Sequence, residues 1–243
     1  MTMNKENKMS KTLMVGDLHG EWSDLNNLIN HKRPDNIIQL GDWGWWPHFH
    51  GKKGLLPRGK IFDQFGVRNV QNNLKTNIYW IPGNHCNWDD LKCLTDYEPV
   101  EIQEGITYCP FGTVLEVNGY NILCCGGASS IDKDTRIERT SWWKDEIISQ
   151  EDMDNLPDCN IDIVISHTIP ESFFKYIPIH KLKKRDPSII ALEMILNKYR
   201  PRMWFSGHFH HYLKKDVKTS YGYCLWTSLA MPKINQKWWC KLK

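Results

Sequence analysis

An α/β or α+β fold is predicted for this 243-residue sequence by three observations. Short apolar runs recur along the chain, turn-forming residues follow each run directly, and segments of helical periodicity lie between them. That is the pattern of buried strands alternating with helices, not of one continuous bundle. With 41% hydrophobic and 24% charged residues there is material for a sizeable core, which excludes the disordered and collagen-like classes. No repeat or low-complexity linker divides the sequence. The expectation is one domain over 12–243 behind a polar N-terminal extension, 1–11.

The elements follow in order. Thr12 to Val15 is a strand ending at Gly16, and Glu21 to Ile29 places Trp22, Leu25, Leu28 and Ile29 on one helical face. Asn36 to Leu40 is the next strand, stopped by Gly41. The stretch from Trp43 to Gly59, rich in Trp, Gly, Pro and His, is too long for an ordinary connection and reads as functional. Ile61 to Leu74 is expected to be helical, and Asn77 to Ile81 is a third strand before Pro82-Gly83. Val114–Val117 and Ile122–Cys125 flank Asn118-Gly119, a strong hairpin signal. Ile161 to Ile165 and Arg202 to Ser206 are buried strands separated by a helix near Ser188 to Tyr199, and Tyr223 to Thr227 is the last strand.

Charge narrows the partners little. Lys and Arg number 31 and Asp and Glu 28, a formal charge of +3, so no strong field selects nucleic acid, an anionic membrane or an acidic partner. The eight cysteines form no C-x-x-C pair and follow no secretory leader, so they read as reduced thiols in a cytoplasmic protein without a membrane span.

Five of the strands end in one kind of chemistry. Thr12–Val15 runs into Asp17-Leu18-His19, Asn36–Leu40 into Gly41-Asp42, Asn77–Ile81 into Gly83-Asn84-His85, Ile161–Ile165 into Ser166-His167, and Met203–Ser206 into Gly207-His208-Phe209-His210. Singly, each is an ordinary turn or cap. Together they place Asp, Asn and His at the carboxyl ends of strands, where open sheets hold their ligand sites.

Four imidazoles, two carboxylates and an amide carbonyl form an N/O donor set without sulfur, suited to Mn, Fe or Zn rather than Cu(I) or an Fe–S cluster. Seven donors exceed one tetrahedral zinc and match two metals sharing a carboxylate, about 3.5–4 Å apart.

The order D-x-H, G-D, G-N-H, a lone strand-end His and G-H-x-H resembles the calcineurin-like metallophosphoesterase superfamily from Asp17 to His210. The resemblance implies a four-layer arrangement, a two-sheet β-sandwich flanked by helices, with a dinuclear centre at one edge. By motif position Asp17, His19 and His210 would hold one metal and Asn84, His167 and His208 the other, with Asp42 bridging. The metals implied are divalent, Mn2+ foremost, with Fe, Zn or Ni as alternatives. The activity implied is hydrolysis of a phosphate ester by a metal-bridging hydroxide, with His85 as general acid or transition-state stabiliser.

Two departures bear on substrate. Many phosphomonoesterase members continue the second motif as G-D-x-x-D-R-G, whereas Asp42 is followed here by Trp43-Gly44-Trp45-Trp46, without the phosphate-clamping arginine. Arg136 and Lys133, in a glycine-rich segment after a strand, are candidate replacements. Cys86 stands where a carboxylate usually follows G-N-H; it reads as a packing thiol, or alternatively as a redox-sensitive one. The stretches Gly126–Ser130 and Ser141–Glu146 look like a poorly characterised bacterial and phage branch, which names no substrate.

Trp43 and its neighbours Trp45 and Trp46, with Trp142, Trp143, Trp238 and Trp239, permit a stacking platform for bases, though core packing explains them equally. His48 and His50, and the cluster Lys181, Lys183, Lys184 and Arg185, read first as surface features. The expected substrate is a phosphorylated small molecule, a nucleotide or nucleic acid. The alternatives are a nuclease or phosphodiesterase and a metal-retaining but catalytically idle interaction scaffold.

Overall fold

In the computed structural model, residues 9–45, 75–177 and 186–243 are described. In chain order they form β1 (Thr12–Val15), α1 (Trp22–Lys32), β2 (Asn36–Gln39), β3 (Asn77–Trp80), α2 (Trp88–Leu94), β4 (Val100–Gln103), β5 (Ile106–Tyr108), β6 (Val114–Val117), β7 (Tyr120–Cys125), α3 (Gln150–Asp154), β8 (Ile163–Ser166), α4 (Pro187–Tyr199), β9 (Met203–Ser206), β10 (Leu213–Thr219), β11 (Gly222–Ser228) and β12 (Trp239–Lys241). The expected helix over Ile61 to Leu74 lies outside the described residues, as do Trp46, His48, His50 and the basic cluster from Lys181 to Arg185.

Two six-stranded mixed sheets form, in the orders β12-β1-β2-β3-β5-β4 and β10-β11-β9-β8-β7-β6. Each is parallel at its centre and antiparallel at both edges. The expected α/β sandwich with flanking helices is therefore present. The two-residue side-chain period sorts each central strand onto two buried faces. Leu13, Val15, Ile37, Ile78 and Trp80 meet Trp22, Leu25, Leu28 and Ile29 of α1 on one side. Met14, Ile38 and Leu40 turn the other way, to pack with Cys124, Ile163, Ile165 and Phe205 of the second sheet. The far face of that sheet packs Val164, Trp204 and Trp226 against Leu192, Ile195 and Leu196 of α4.

Local chemistry fixes the element ends. Asp186 accepts from the Ser188 amide at 2.9 Å and precedes a proline at the first helical position, so α4 starts there. Arg33 and Arg200 close α1 and α4 in the left-handed region. Asn118 and Gly119, at φ 55° and 78°, make the tight turn between β6 and β7. Among the described residues no helix is long and apolar enough to cross a membrane.

Candidate metal centre

The parallel pairing of β1, β2 and β3, and of β8 and β9, aligns the carboxyl ends of five strands. The residues just beyond those ends converge. Asp17 follows β1, Asp42 follows β2, Asn84 follows β3, His167 follows β8, and His208 and His210 follow β9. His19, Asp42, His208 and His210 have φ of 46°, 52°, 68° and 49°, in the left-handed region that non-glycine residues seldom enter. Four such residues at one site store backbone strain, of order 1–3 kcal/mol each, which the surrounding packing must hold.

Two glycines make the convergence possible by close approach. A Cβ on Gly207 would overlap the Asp17 carboxylate, and one on Gly41, itself at φ 99°, would overlap the His167 ring.

Donor atoms gather in two overlapping groups, Asp17 with His19 and His210, and Asp17 with Asp42 and His167, each within 4.8 Å of one another. His210 Nε2 lies 3.0 Å from Asp17 Oδ2 and 3.0 Å from His19 Nε2. His167 Nδ1 donates to the Leu40 carbonyl at 2.9 Å, and its Nε2 faces Asn84 Oδ1 at 3.1 Å and Asp42 Oδ2 at 3.2 Å. His208 Nδ1 is 3.0 Å from the same Asn84 oxygen. Asp42 Oδ1 accepts from the His85 amide at 2.9 Å, while its buried Oδ2 makes no aligned hydrogen bond.

This arrangement fits divalent cations. Carboxylate and amide oxygens and imidazole nitrogens converge on one gap, with the buried Asp42 Oδ2 3.2 Å from His167 Nε2 and 3.6 Å from His19 Nε2. Without a metal, a proton on His167 supplies the positive charge that the carboxylates call for. Burial opposes charge on Asp42, yet His167, His85 and His19 hold its carboxyl well below the usual range. Burial likewise opposes charge on His167, but Asp42 and Asp17 lift it to about 9. His208, buried beside charged His167, falls to about 3.

His85 lies at the open edge of the centre, its ring 5.1 Å from that of His19. Burial lowers it to about 4, partly offset by Asp42 and reinforced by His19 and Arg136. Arg136 comes in from the short helical turn at Lys133–Thr135. Its Nη2 lies 3.1 Å from His85 Nε2 and 2.8 Å from Asp132, and its Nη1 donates to the Ser141 carbonyl at 3.2 Å. Its side chain is 8% exposed, so it is not a loose surface charge. Lys133 sits over the Trp142 ring at 5.6 Å and lines a cavity that His208 also lines.

The expectation for Trp43 is corrected. Its ring is fully buried, 5.0 Å from Trp22 and 5.7 Å from Trp80, so it packs the core and offers no face to a base. Trp45 is likewise buried against Trp80. Cys86 is buried too; burial and nearby Asp42 push its thiol up, which leaves it a packing residue and not a redox sensor. Sequence reasoning missed Glu146, a fully buried carboxylate that accepts from Ser130 Oγ at 3.0 Å. Its signal was only the Ser141–Glu146 stretch, with nothing to tie it to Asn84.

A sequence profile described as calcineurin-like phosphoesterase matches residues 10–212. No curated protein matches the chain. Among solved structures, one crystal structure is 12% identical with a TM-score of 0.54, covering 92% of this chain and 91% of its own. Another, of a hypothetical protein from Thermus thermophilus, is 18% identical with a TM-score of 0.39, covering 91% and 76%. The first supports the fold alone.

Proposed function

From the premise that this chain belongs to the calcineurin-like phosphoesterase family, we propose that it hydrolyses a phosphate ester at a centre of two divalent metal ions, Mn2+ foremost. The observation that carries the proposal is Asp42 Oδ2, buried and without an aligned hydrogen bond, 3.6 Å from His19 Nε2 and 3.2 Å from His167 Nε2. A carboxylate so placed joins one donor set, Asp17, His19 and His210, to the other, Asn84, His167 and His208. When bound, such ions lower the pKa of water and neutralise charge on phosphoryl oxygens.

The chain's own residues supply the rest. Asp17 holds His210 by side-chain contact and accepts from the His208 amide at 2.9 Å, so one carboxylate fixes the strand-end loop that carries two imidazoles. The Leu40 carbonyl fixes the tautomer of His167. Arg136, an obligate donor, meets His85 Nε2, so that nitrogen is an acceptor before substrate arrives. Arg136 thus presents the donor face for the phosphoryl oxygens and His85, as its acceptor, holds it in place, which favours transition-state stabilisation as the first role of His85. Protonation of His85 at Nε2 for the leaving oxygen follows only where a bound anion raises its affinity for a proton.

The organic part of the ester has a place beside the centre. A cavity of about 330 Å³, lined by Ile131, Phe174, Ile189 and Phe209 together with Lys133 and His208, is apolar enough and large enough for a nucleoside. This favours nucleotides or phosphodiesters over small monoesters.

The test is turnover by metal-stripped protein reconstituted with Mn2+, on a chromogenic phosphomonoester and phosphodiester in parallel. Diester cleavage that Asp42→Asn abolishes together with metal uptake is expected. Two bound ions with no turnover of either ester, or full activity in Asp42→Asn, would overturn the reading and favour an interaction scaffold.

A further inference from the structure

Asn84 raises a question of orientation. An amide offers a metal its oxygen and not its nitrogen, and the two ends of the group have nearly the same shape, so something must select which end faces His167 and His208. The structure assigns that selection to a buried relay, Glu146–Ser130, which lies outside the donor set and whose members are sixteen residues apart in sequence; the inference rests on Asn84 being a metal ligand.

The direction of the relay follows from counting hydrogens. Glu146 is fully buried and accepts from both the Ser130 amide and, at 3.0 Å, the Ser130 hydroxyl. An ionised carboxylate can only accept, and Glu146 Oε2 at 3.0 Å is charged and nearer than the Asn84 backbone carbonyl at 3.4 Å, so the single hydroxyl hydrogen of Ser130 goes to Glu146. The two lone pairs of Ser130 Oγ then remain for donors. Asn84 Nδ2 donates to one at 3.2 Å and Arg136 Nη1 to the other at 3.4 Å. With Nδ2 so engaged, Asn84 Oδ1 is turned to the imidazoles of His167 and His208, at 3.1 and 3.0 Å. The same hydroxyl steadies the guanidinium whose other nitrogen meets His85. One buried carboxylate therefore orients a ligand on one side of the centre and the donor face on the other. Ser130 is 1% exposed and Glu146 is fully buried, so neither has water as an alternative partner. Glu146 and Ser130 are positioning residues; neither touches the reacting atoms.

The experiment compares wild type, Ser130→Ala, Ser130→Thr and Glu146→Gln, each metal-free and at about pH 8, where a glutamate carboxylate is ionised. Mn2+ uptake is followed by calorimetry, and the Asn84 side-chain amide by its NMR resonance and hydrogen exchange. Loss of an outer-shell partner commonly weakens metal affinity about 10–100-fold. Ser130→Ala and Glu146→Gln are expected to weaken one of two Mn2+ ions by that factor and leave the other unchanged. Ser130→Thr, which keeps the hydroxyl, is expected to retain both. In the metal-free protein the Asn84 amide protons are expected to be protected in wild type and to lose protection in Ser130→Ala. Unchanged protection and unchanged affinity in Ser130→Ala would overturn the relay. A wild type that takes up no second ion would instead count against the dinuclear reading, with the Asn84 resonance still deciding the relay. Should Glu146→Gln fail to fold, the smaller Ser130→Ala change carries the test.

Discussion

Arg136 and His85 are coupled by geometry, and substitution should reveal an order between them. Arg136 Nη2 sits 3.1 Å from His85 Nε2, yet neither belongs to the donor groups around Asp17 and Asp42. His85→Ala is therefore expected to keep its metal content and lose about 10²–10⁴-fold in turnover. Metal analysis beside kinetics checks this; loss of metal would move His85 into the coordination shell. Arg136→Lys is expected to behave like Arg136→Ala and not like wild type. A lysine is a point charge and cannot at once span Ser130, Ser141, Asp132 and His85 as the planar fork does. Gly207→Ala tests the packing behind the centre. Its new methyl would overlap the Asp17 carboxylate, so Mn2+ affinity should fall even though no ligand is removed. Unchanged affinity would mean that the β9 loop yields freely.

At the scale of elements, the strands that carry chemistry were the legible ones. β1, β2, β3, β8 and β9 are short apolar runs ending in Gly, Asp, Asn or His, because burial on both faces removes the polar half of the usual alternation. The strands missed are at or beside sheet edges. β10 reads Leu-Lys-Lys-Asp-Val-Lys-Thr with mostly exposed side chains, and β4 and β12 are short and half-exposed, so none leaves an apolar run. The lysines on β10 also suit an edge that must not pair with another chain. That the residues behind these strand ends converge could be read from residue order alone. The Glu146–Ser130–Asn84 chain could not, since it joins Ser130 to Asn84 across 46 residues through hydrogen bonds no local pattern encodes. The hairpin between β6 and β7 offers a check on local chemistry. Gly119 has φ 78° and open space where a Cβ would stand, so Gly119→Ala meets backbone strain without a clash. A loss of about 1 kcal/mol in urea unfolding is expected, and no loss would show that the turn relaxes.

For the whole molecule, a buried centre full of charge makes stability depend on pH in two opposing ways. Asp17 and Asp42 are held below the usual carboxylate range, against burial, by His167 and, for Asp42, also by His85 and His19. Their contribution is present above the ordinary aspartate value and lost as pH falls through the lowered ones. Glu146 runs the other way. Burial raises it from the ordinary 4.5 to about 7, although donors from Ser130 and the Arg136 charge hold it down. Between those values the folded chain keeps a proton that the unfolded chain has released, so stability falls as pH rises through that window. The slope from this one group is at most about 1.4 kcal/mol per pH unit. Glu146→Gln removes this slope and leaves that of Asp17 and Asp42. Unfolding of the metal-free proteins at about pH 5 and about pH 8 should therefore show the stability difference moving in favour of Glu146→Gln as pH rises. A difference that stays constant with pH would mean Glu146 is ionised throughout. Above about 7 the carboxylate form is the one whose two oxygens accept from Ser130, so Asn84 is fully oriented only after the stability that the Glu146 proton supplied has been lost.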